Sequence, residues 1–253
     1  MRVLFPVSPP PGIPPSDLPD ISGDAELARL YAYPAGRWVR GNMVASADGA
    51  AAVDGLSGGL SSPGDRRVFW VLRGLADVIL VGAGTARAEG YHQTRAKGPW
   101  KELGLREGRP AAPPLALVSR TLDVDPATPL IAAAPPDART IVITTHVSPA
   151  DRRDALARVA DVIVAGDDAV DLPAAMAALA ERGLSRVLCE GGPHLLADMA
   201  TAGVLDELCL TVSPLLAGPG ASRILAGTPF PLRRLNLAHV LEEDGALFCR
   251  YTA

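Results

Sequence analysis

The residues best suited to chemistry lie in one tract, Arg186-Val187-Leu188-Cys189-Glu190-Gly191-Gly192-Pro193-His194. Its apolar run reads as a buried strand, the glycine pair as the turn that leaves it, and Pro193 as the first residue of a helix, where its missing N–H costs nothing. Such an end presents free backbone N–H groups and the positive pole of the helix dipole, and glycines without Cβ admit an anionic ligand close to the main chain. A phosphate would sit well there, although an ordinary strand-to-helix turn can carry the same letters. Glu190 adds a second demand. A carboxylate beside a bound phosphate would repel it, so a cleft-facing Glu190 would instead accept hydrogen bonds from N–H groups of a substrate or a nicotinamide. The competing reading is a surface or helix-capping glutamate.

A second turn follows another near-continuous apolar run, Asp77-Val78-Ile79-Leu80-Val81, and reads Gly82-Ala83-Gly84-Thr85. It begins like a dinucleotide fingerprint but places Arg87 where the third glycine should stand, and it does not open the fold, so the standard Rossmann signature is absent. Two glycine turns after neighbouring buried strands could still grip one cofactor from two sides, with backbone N–H groups and the Thr85 hydroxyl as donors. Ser46 and Asp48 end a third strand, Trp38–Ser46, at the turn signal Asp48-Gly49. Asp48 is open to two roles, turn former or site residue.

These turns need a sheet to hold them. Leu115–Val118, Thr140–Thr144 and Val162–Val164 read as further buried strands, separated by helical patterns at Ala150–Val159 and Leu172–Arg182. Ser62 reads as an N-cap before Pro63, with Val68, Val71, Leu72 and Leu75 as the apolar stripe of the helix that follows. Strands alternating with helices predict an α/β fold with a mostly parallel central sheet and helices on both faces. Leu237–Leu241 and Leu247–Tyr251, around Gly245, predict an antiparallel C-terminal edge. Residues 1–36, rich in proline, read as an extended arm with at most one helical turn near Asp24–Tyr31, free to wrap the domain or a partner subunit; residues 37–253 form the domain itself. Residues 90–114 are polar and aperiodic, a functional or disordered loop.

With 253 residues, 48% of them hydrophobic, the chain can bury a substantial core without staples. A net charge of −4 offers no footprint for nucleic acid, and no run approaches the roughly 20 apolar residues needed to span a bilayer. Cys189, Cys209 and Cys249 are too scattered for a disulfide framework and lie in apolar runs, where buried thiols are expected; the four histidines show no metal spacing. A cytoplasmic protein with a small-molecule partner and no metal is expected.

Taken in order, Ser46–Gly49, the stretch from Ser57 to Arg73, Ile79–Thr85, Glu190–Pro193, and Val204–Leu208 with Ser213–Gly218 resemble the riboflavin-biosynthesis pyrimidine reductase family, the C-terminal reductase domain of bacterial riboflavin deaminase-reductases. The resemblance spans residue 37 to the C-terminus. It implies a dihydrofolate-reductase-like fold and NADPH-dependent reduction of the ribosyl side chain of a phosphorylated diaminopyrimidinone, with hydride passing to an imine or aldehyde carbon. The cofactor would meet Val81, Gly82, Ala83, Gly84 and Thr85, then Gly191, Gly192, Pro193 and His194, with Gly59 and Glu89 on the same wall. Ser119-Arg120 suits the adenosine 2′-phosphate by fold analogy. Substrate would meet Ser57, Arg73, Arg95 and Glu190, with Asn42, Ser46 and Asp48 lining the same cleft; the arginines would hold the ribose phosphate. Glu190 and Asp48 would orient the ring, and Asp48 or a water would supply the proton, which requires a raised carboxyl pKa. A homodimer is implied as well.

The chain departs from the family pattern where lysine and tryptophan often stand, at Asn42 and Gly59, and where Glu89-Gly90-Tyr91 replaces an aspartate pair followed by proline. No zinc-deaminase half is present, since no His-x-Glu accompanies a Pro-Cys-x-x-Cys. The altered wall leaves two alternatives, a dihydrofolate or other pterin-like substrate and a non-catalytic NADPH-binding paralogue.

Overall fold

The computed structural model describes residues 1–6, 20–93, 95, 100, 103, 105, 106 and 108–253. The proline-rich course expected through residues 7–19, and parts of the 90–114 loop, lie outside these. In chain order the strands are β1 (Arg2–Pro6), β2 (Trp38–Ser46), β3 (Val78–Gly82), β4 (Leu115–Val118), β5 (Ile141–Thr144), β6 (Asp161–Val164), β7 (Arg186–Cys189), β8 (Glu207–Ser213), β9 (Asn236–Glu243) and β10 (Ala246–Thr252). The helices are α1 (Asp24–Leu30), α2 (Pro63–Leu75), α3 (Ala83–Ala88), α4 (Pro129–Ala132), α5 (Ala150–Ala157), α6 (Leu172–Glu181) and α7 (Pro193–Thr201).

All ten strands form one sheet in the order β1-β9-β10-β8-β2-β7-β3-β4-β5-β6. From β8 to β6 every pairing is parallel, while β10 runs antiparallel to both β8 and β9, and β1 antiparallel to β9. Parallel strands place their carboxyl ends at one edge, so the turns after β3 and β7, which are neighbours, come to lie side by side.

Alternation along the strands feeds cores on both faces of the sheet. Val187 and Cys189 of β7, Val78 and Leu80 of β3, and Ile141 and Ile143 of β5 pack with Met176 and Leu179 of α6 and Leu196 and Met199 of α7. Leu188, between the first pair, faces the other way and meets Leu27 of α1 and Val68, Val71 and Leu72 of α2. Val142 likewise turns to Ile131 of α4 and Leu156 of α5. Helices therefore cover both faces, as the pattern predicts. Helix α2 starts where its capping residues say it should: Ser62 Oγ accepts from the Asp65 N–H at 3.1 Å, and Pro63 occupies the first turn. All three cysteines are free and buried.

The N-terminal segment is more ordered than its prolines suggest. Residues 2–6 add a strand to the sheet, and α1 runs seven residues rather than one turn. Below α1 lies a buried charged cluster. Glu207, with its side chain fully buried, receives Nε and Nη2 of both Arg40 and Arg250 at 2.6–3.2 Å and the Trp38 indole N–H at 2.8 Å. The same two arginines donate to the carbonyls of Tyr31 and Leu30 at 2.8 and 2.6 Å. Pairing of this kind is what allows charges to be buried at all. Among the described residues no helix is long and apolar enough to cross a membrane.

Candidate active site

A cleft of about 820 Å³ opens beside the carboxyl ends of β7 and β2, walled by α2, the 51–61 loop, residues 89–93 and Arg95. Glu190 leaves β7 at its floor, where its buried carboxylate accepts three hydrogen bonds. Arg73 of α2 donates to it in bidentate fashion, Nε to Oε1 and Nη2 to Oε2, both at 2.7 Å, and the Tyr91 hydroxyl donates to Oε2 at 2.7 Å. Arg73 is also stacked, its guanidinium 4.2 Å from the Phe69 ring and 5.5 Å from those of Trp70 and Tyr91. Burial opposes its charge, but Glu190 and Tyr91 more than offset that and raise its pKa. Burial, reinforced by Glu190, drives the Tyr91 phenol well above its ordinary value, so it stays a neutral donor.

Two expectations change here. Arg73 does not stand open to an anionic tail, because Glu190 already neutralises it; a bidentate carboxylate is the partner a guanidinium fork fits best. Glu190 in turn has three of about four acceptor positions occupied, leaving room for about one substrate N–H group rather than a full edge. Asp48 differs more sharply. Its carboxylate accepts from Ser46 Oγ and from the N–H groups of Ala217 and Gly218 at 3.1 and 2.8 Å, and those bonds, Ser46 foremost, hold its pKa down to about 2. That is the reverse of what a proton donor needs. Asp48 fastens the loop after β8 and, with Ser46, does not line the cleft.

Of the other expected substrate residues, Asn42, Ser57 and Arg95 line the cleft; Asn42 is half-buried with no side-chain hydrogen bond among the described residues. Glu89 lines it too, its Oε1 accepting the Ser57 N–H at 2.8 Å, a loop-bracing contact that leaves its second oxygen available. Gly59 sits in a 3-10 turn, Gly58–Leu60, near Val53.

The two glycine turns meet. Gly82 donates its N–H to the Gly191 carbonyl at 2.9 Å, and a Cβ added at Gly192 would collide with the Thr85 hydroxyl. Gly191 itself has φ +86°, a conformation that favours glycine. The Gly82 turn is not a loop: Gly82 is the N-cap of α3, which starts at once on Ala83-Gly84-Thr85. Pro193 opens α7 and borders the cleft, whereas Val81 is buried in β3 and Ala83, Gly84 and His194 lie outside the cleft proper. Val118 is the register partner of Gly82, so Ser119 and Arg120 follow one strand further along the same edge, Ser119 buried and Arg120 exposed. The two turns thus meet beside the cleft, which Glu190 and Pro193 border.

Sequence reasoning missed Phe69, Trp70, Tyr91 and Arg66, all on the cleft wall. A signal was available for those on α2, since Arg66, Phe69, Trp70 and Arg73 recur at helical spacing off the buried Val68-Val71-Leu72-Leu75 stripe.

Residues 37–246 match the family model described as the RibD C-terminal domain. The chain belongs to this family. A pyrimidine reductase-like protein from Corynebacterium diphtheriae, known from its crystal structure, is 30% identical, with a TM-score of 0.79 over 89% of this chain and 97% of the other. The 2,5-diamino-6-ribosylamino-4(3H)-pyrimidinone 5′-phosphate reductases of Archaeoglobus fulgidus and Methanothermobacter thermautotrophicus are each 28% identical, over 70% and 73% of this chain and 80% and 81% of theirs. Acinetobacter baumannii RibD shares the fold, with a TM-score of 0.66 at 18% identity over 86% of this chain and 58% of its own length. The chain is accordingly an oxidoreductase of the riboflavin-biosynthesis pyrimidine reductase type.

Proposed function

We propose that this protein uses NADPH to reduce the ribosylamino side chain of a phosphorylated diaminopyrimidinone, the substrate its archaeal relatives are named for. The observation that carries this is the junction at β7, where one turn places Glu190 on the cleft floor and Gly191-Gly192 against the Gly82–Thr85 turn. One strand end thereby serves a substrate wall and a cofactor wall together.

The residues present suit a nicotinamide dinucleotide. The pyrophosphate would rest on the α7 N-terminus at Gly192–His194 and on the α3 start, where backbone N–H groups and Thr85 Oγ are donors. Ser119 and Arg120 would take the 2′-phosphate that distinguishes NADPH from NADH. The cofactor supplies the hydride, which would be delivered to an imine or aldehyde carbon. Glu190, held rigid by Arg73 and Tyr91, would accept from the amino-substituted ring and orient it, and Asn42 would offer a second, neutral contact where the family often has lysine. The proton would come from water, Asp48 being held too acidic to donate it. The working form would be a cytoplasmic homodimer, which sedimentation at the monomer mass would exclude.

The aromatic shelf of Phe69, Trp70 and Tyr91 also suits a bicyclic ring, which favours dihydrofolate as the competing substrate. Loss of reduced-nicotinamide absorbance, followed with each substrate and with NADPH or NADH, tests the proposal. Turnover of the pyrimidine phosphate with NADPH is expected; turnover of dihydrofolate alone would transfer the assignment. NADPH binding by calorimetry with no turnover of either would make the chain a non-catalytic paralogue.

A further inference from the structure

We infer that Tyr91 makes the cleft select the 2-amino form of the pyrimidinone ring over its deaminated, 2-oxo counterpart, an assignment that rests on the function proposed above. Tyr91 belongs to the tract Glu89-Gly90-Tyr91, where the chain departs from the family pattern. Its ring packs with Val81, Ala86 and Leu117, and its N–H donates to the Ala86 carbonyl at 2.8 Å, so the hydroxyl reaches the cleft from a fixed support. There it donates to Glu190 Oε2 at 2.7 Å. Oε2 also receives Arg73 Nη2, whereas Oε1 receives Arg73 Nε alone, so the acceptor position left open on the carboxylate is on Oε1. A phenol that has given its proton away keeps an oxygen that accepts. Glu190 Oε1 and Tyr91 Oη therefore line the cleft as a pair of acceptors.

Two neighbouring acceptors suit two neighbouring donors. In the imine that receives the hydride, the side-chain nitrogen of the ring has lost its hydrogen and only accepts. The diaminopyrimidinone then has one edge with adjacent donors, the 2-amino group beside the ring N–H next to it. In the 2-oxo ring donors and acceptors alternate all the way round, so no such edge exists. Its ring N–H would still reach Glu190, but the 2-carbonyl would meet the Tyr91 oxygen. The Tyr91 proton could turn to that carbonyl only by leaving an ionised acceptor for a neutral one, and charge-assisted hydrogen bonds are roughly twice as strong as neutral ones. Arg73 offers the proton no other place, because a guanidinium cannot accept. The hydroxyl thus costs the deaminated ring a strong contact that the amino form leaves in place.

The test measures kcat/KM, with NADPH saturating, for the diaminopyrimidinone phosphate and for its deaminated counterpart in wild type and in Y91F, which keeps the ring and its packing. Wild type is expected to prefer the amino form by about tenfold or more, the difference between a charge-assisted contact and a neutral one. Y91F should bring the two substrates within about threefold, chiefly by losing rate on the amino form. A purely structural role for Tyr91 would lower both substrates equally and keep the ratio, and that result would overturn the assignment. Wild type that takes both forms alike would overturn it too, whether or not Y91F folds. Binding of 2-aminopyrimidin-4-one and of uracil, followed by NMR titration, keeps the outcome separate from that of the proposed function. If wild type turns over neither pyrimidine phosphate, the function fails, while tighter binding of the aminopyrimidinone that is lost in Y91F still supports Tyr91 and equal binding of the two probes refutes it.

Discussion

Gly192 offers the sharpest test of the claim that the two glycine turns form one surface. Its backbone, at φ −71° and ψ −171°, lies in a region of φ and ψ open to alanine. The obstacle is a single side chain. The new Cβ would fall well inside van der Waals contact of Thr85 Oγ1, with Thr85 Cβ at 3.4 Å and Cγ2 at 3.6 Å. The Thr85 side chain is short, so relief requires a shift of the α3 start relative to β7. Overpacking of this size costs about 1–3 kcal/mol, and for a domain of this length each kcal/mol lowers Tm by about 2–4 °C. Melting by circular dichroism should show that fall, and calorimetry should show weaker NADPH binding. T85A removes the hydroxyl and Cγ2 but keeps Cβ in ordinary contact, so T85A/G192A should regain most of the lost Tm. G192A that melts with wild type, or a double variant no better than G192A, would refute the packing of the two turns.

Other consequences follow from the buried charges. E190Q leaves the Arg73 guanidinium buried without its counter-charge, so a loss of about 3 kcal/mol in chemical denaturation is expected. In E190Q kcat/KM should fall far more than NADPH affinity, and the opposite ratio would move Glu190 to the cofactor wall. D48N should keep kcat within about threefold and keep the shape of its pH profile, whereas a loss of about 100-fold with a missing limb would reinstate Asp48 as the proton donor. His239 is buried edge-on to Tyr31, with Nε2 unpartnered; burial, then Arg250 and Arg40 against Glu207, lowers its pKa from 6.5 to about 4. A depressed histidine means the unfolded chain protonates first. Its contribution to stability is therefore fully present above pH 6.5 and is lost as pH falls toward 4, by roughly 3 kcal/mol. H239N should flatten that part of the denaturation-versus-pH curve, and an unchanged slope would remove His239 as its source.

The site was legible where local letters carry local physics. An apolar run, two glycines and a proline announced β7, its turn and α7, and Ser62-Pro63 announced α2, because capping and strand burial are decided within a few residues. The Arg73–Glu190 pair was not legible: its partners are 117 residues apart, and nothing near either one specifies the other. Arg73 consequently read as an open cation. Asp48 misled for a related reason, since apart from Ser46 its partners are the backbone N–H groups of Ala217 and Gly218, which leave no mark in sequence. Gly82-Ala83-Gly84 read as a turn because glycine weakens a helix signal, yet Gly82 caps a helix that the packing of Ala86 against Val81 and Leu117 holds in place. In the antiparallel half, β9 and β10 were visible through their turn at Gly245, whereas β1 was hidden by the prolines that follow it.

The Glu207 cluster bears on where this protein can be cut. The stretch shared with the RibD C-terminal domain family begins at residue 37, and composition draws its own line at the same place, where the proline-rich opening segment ends. The carbonyls of Leu30 and Tyr31, on the discarded side of that line, receive donors from Arg250 and Arg40 on the retained side. A chain shortened to start at residue 37 would keep both guanidinium groups and Glu207 but strand Arg250 Nη1 and leave Arg40 Nη2 with Glu207 alone, with the ring of Tyr31 gone from beside His239. Residues 20–36 are thus a keystone for the half of the sheet remote from the cleft, and a boundary chosen by homology would remove it.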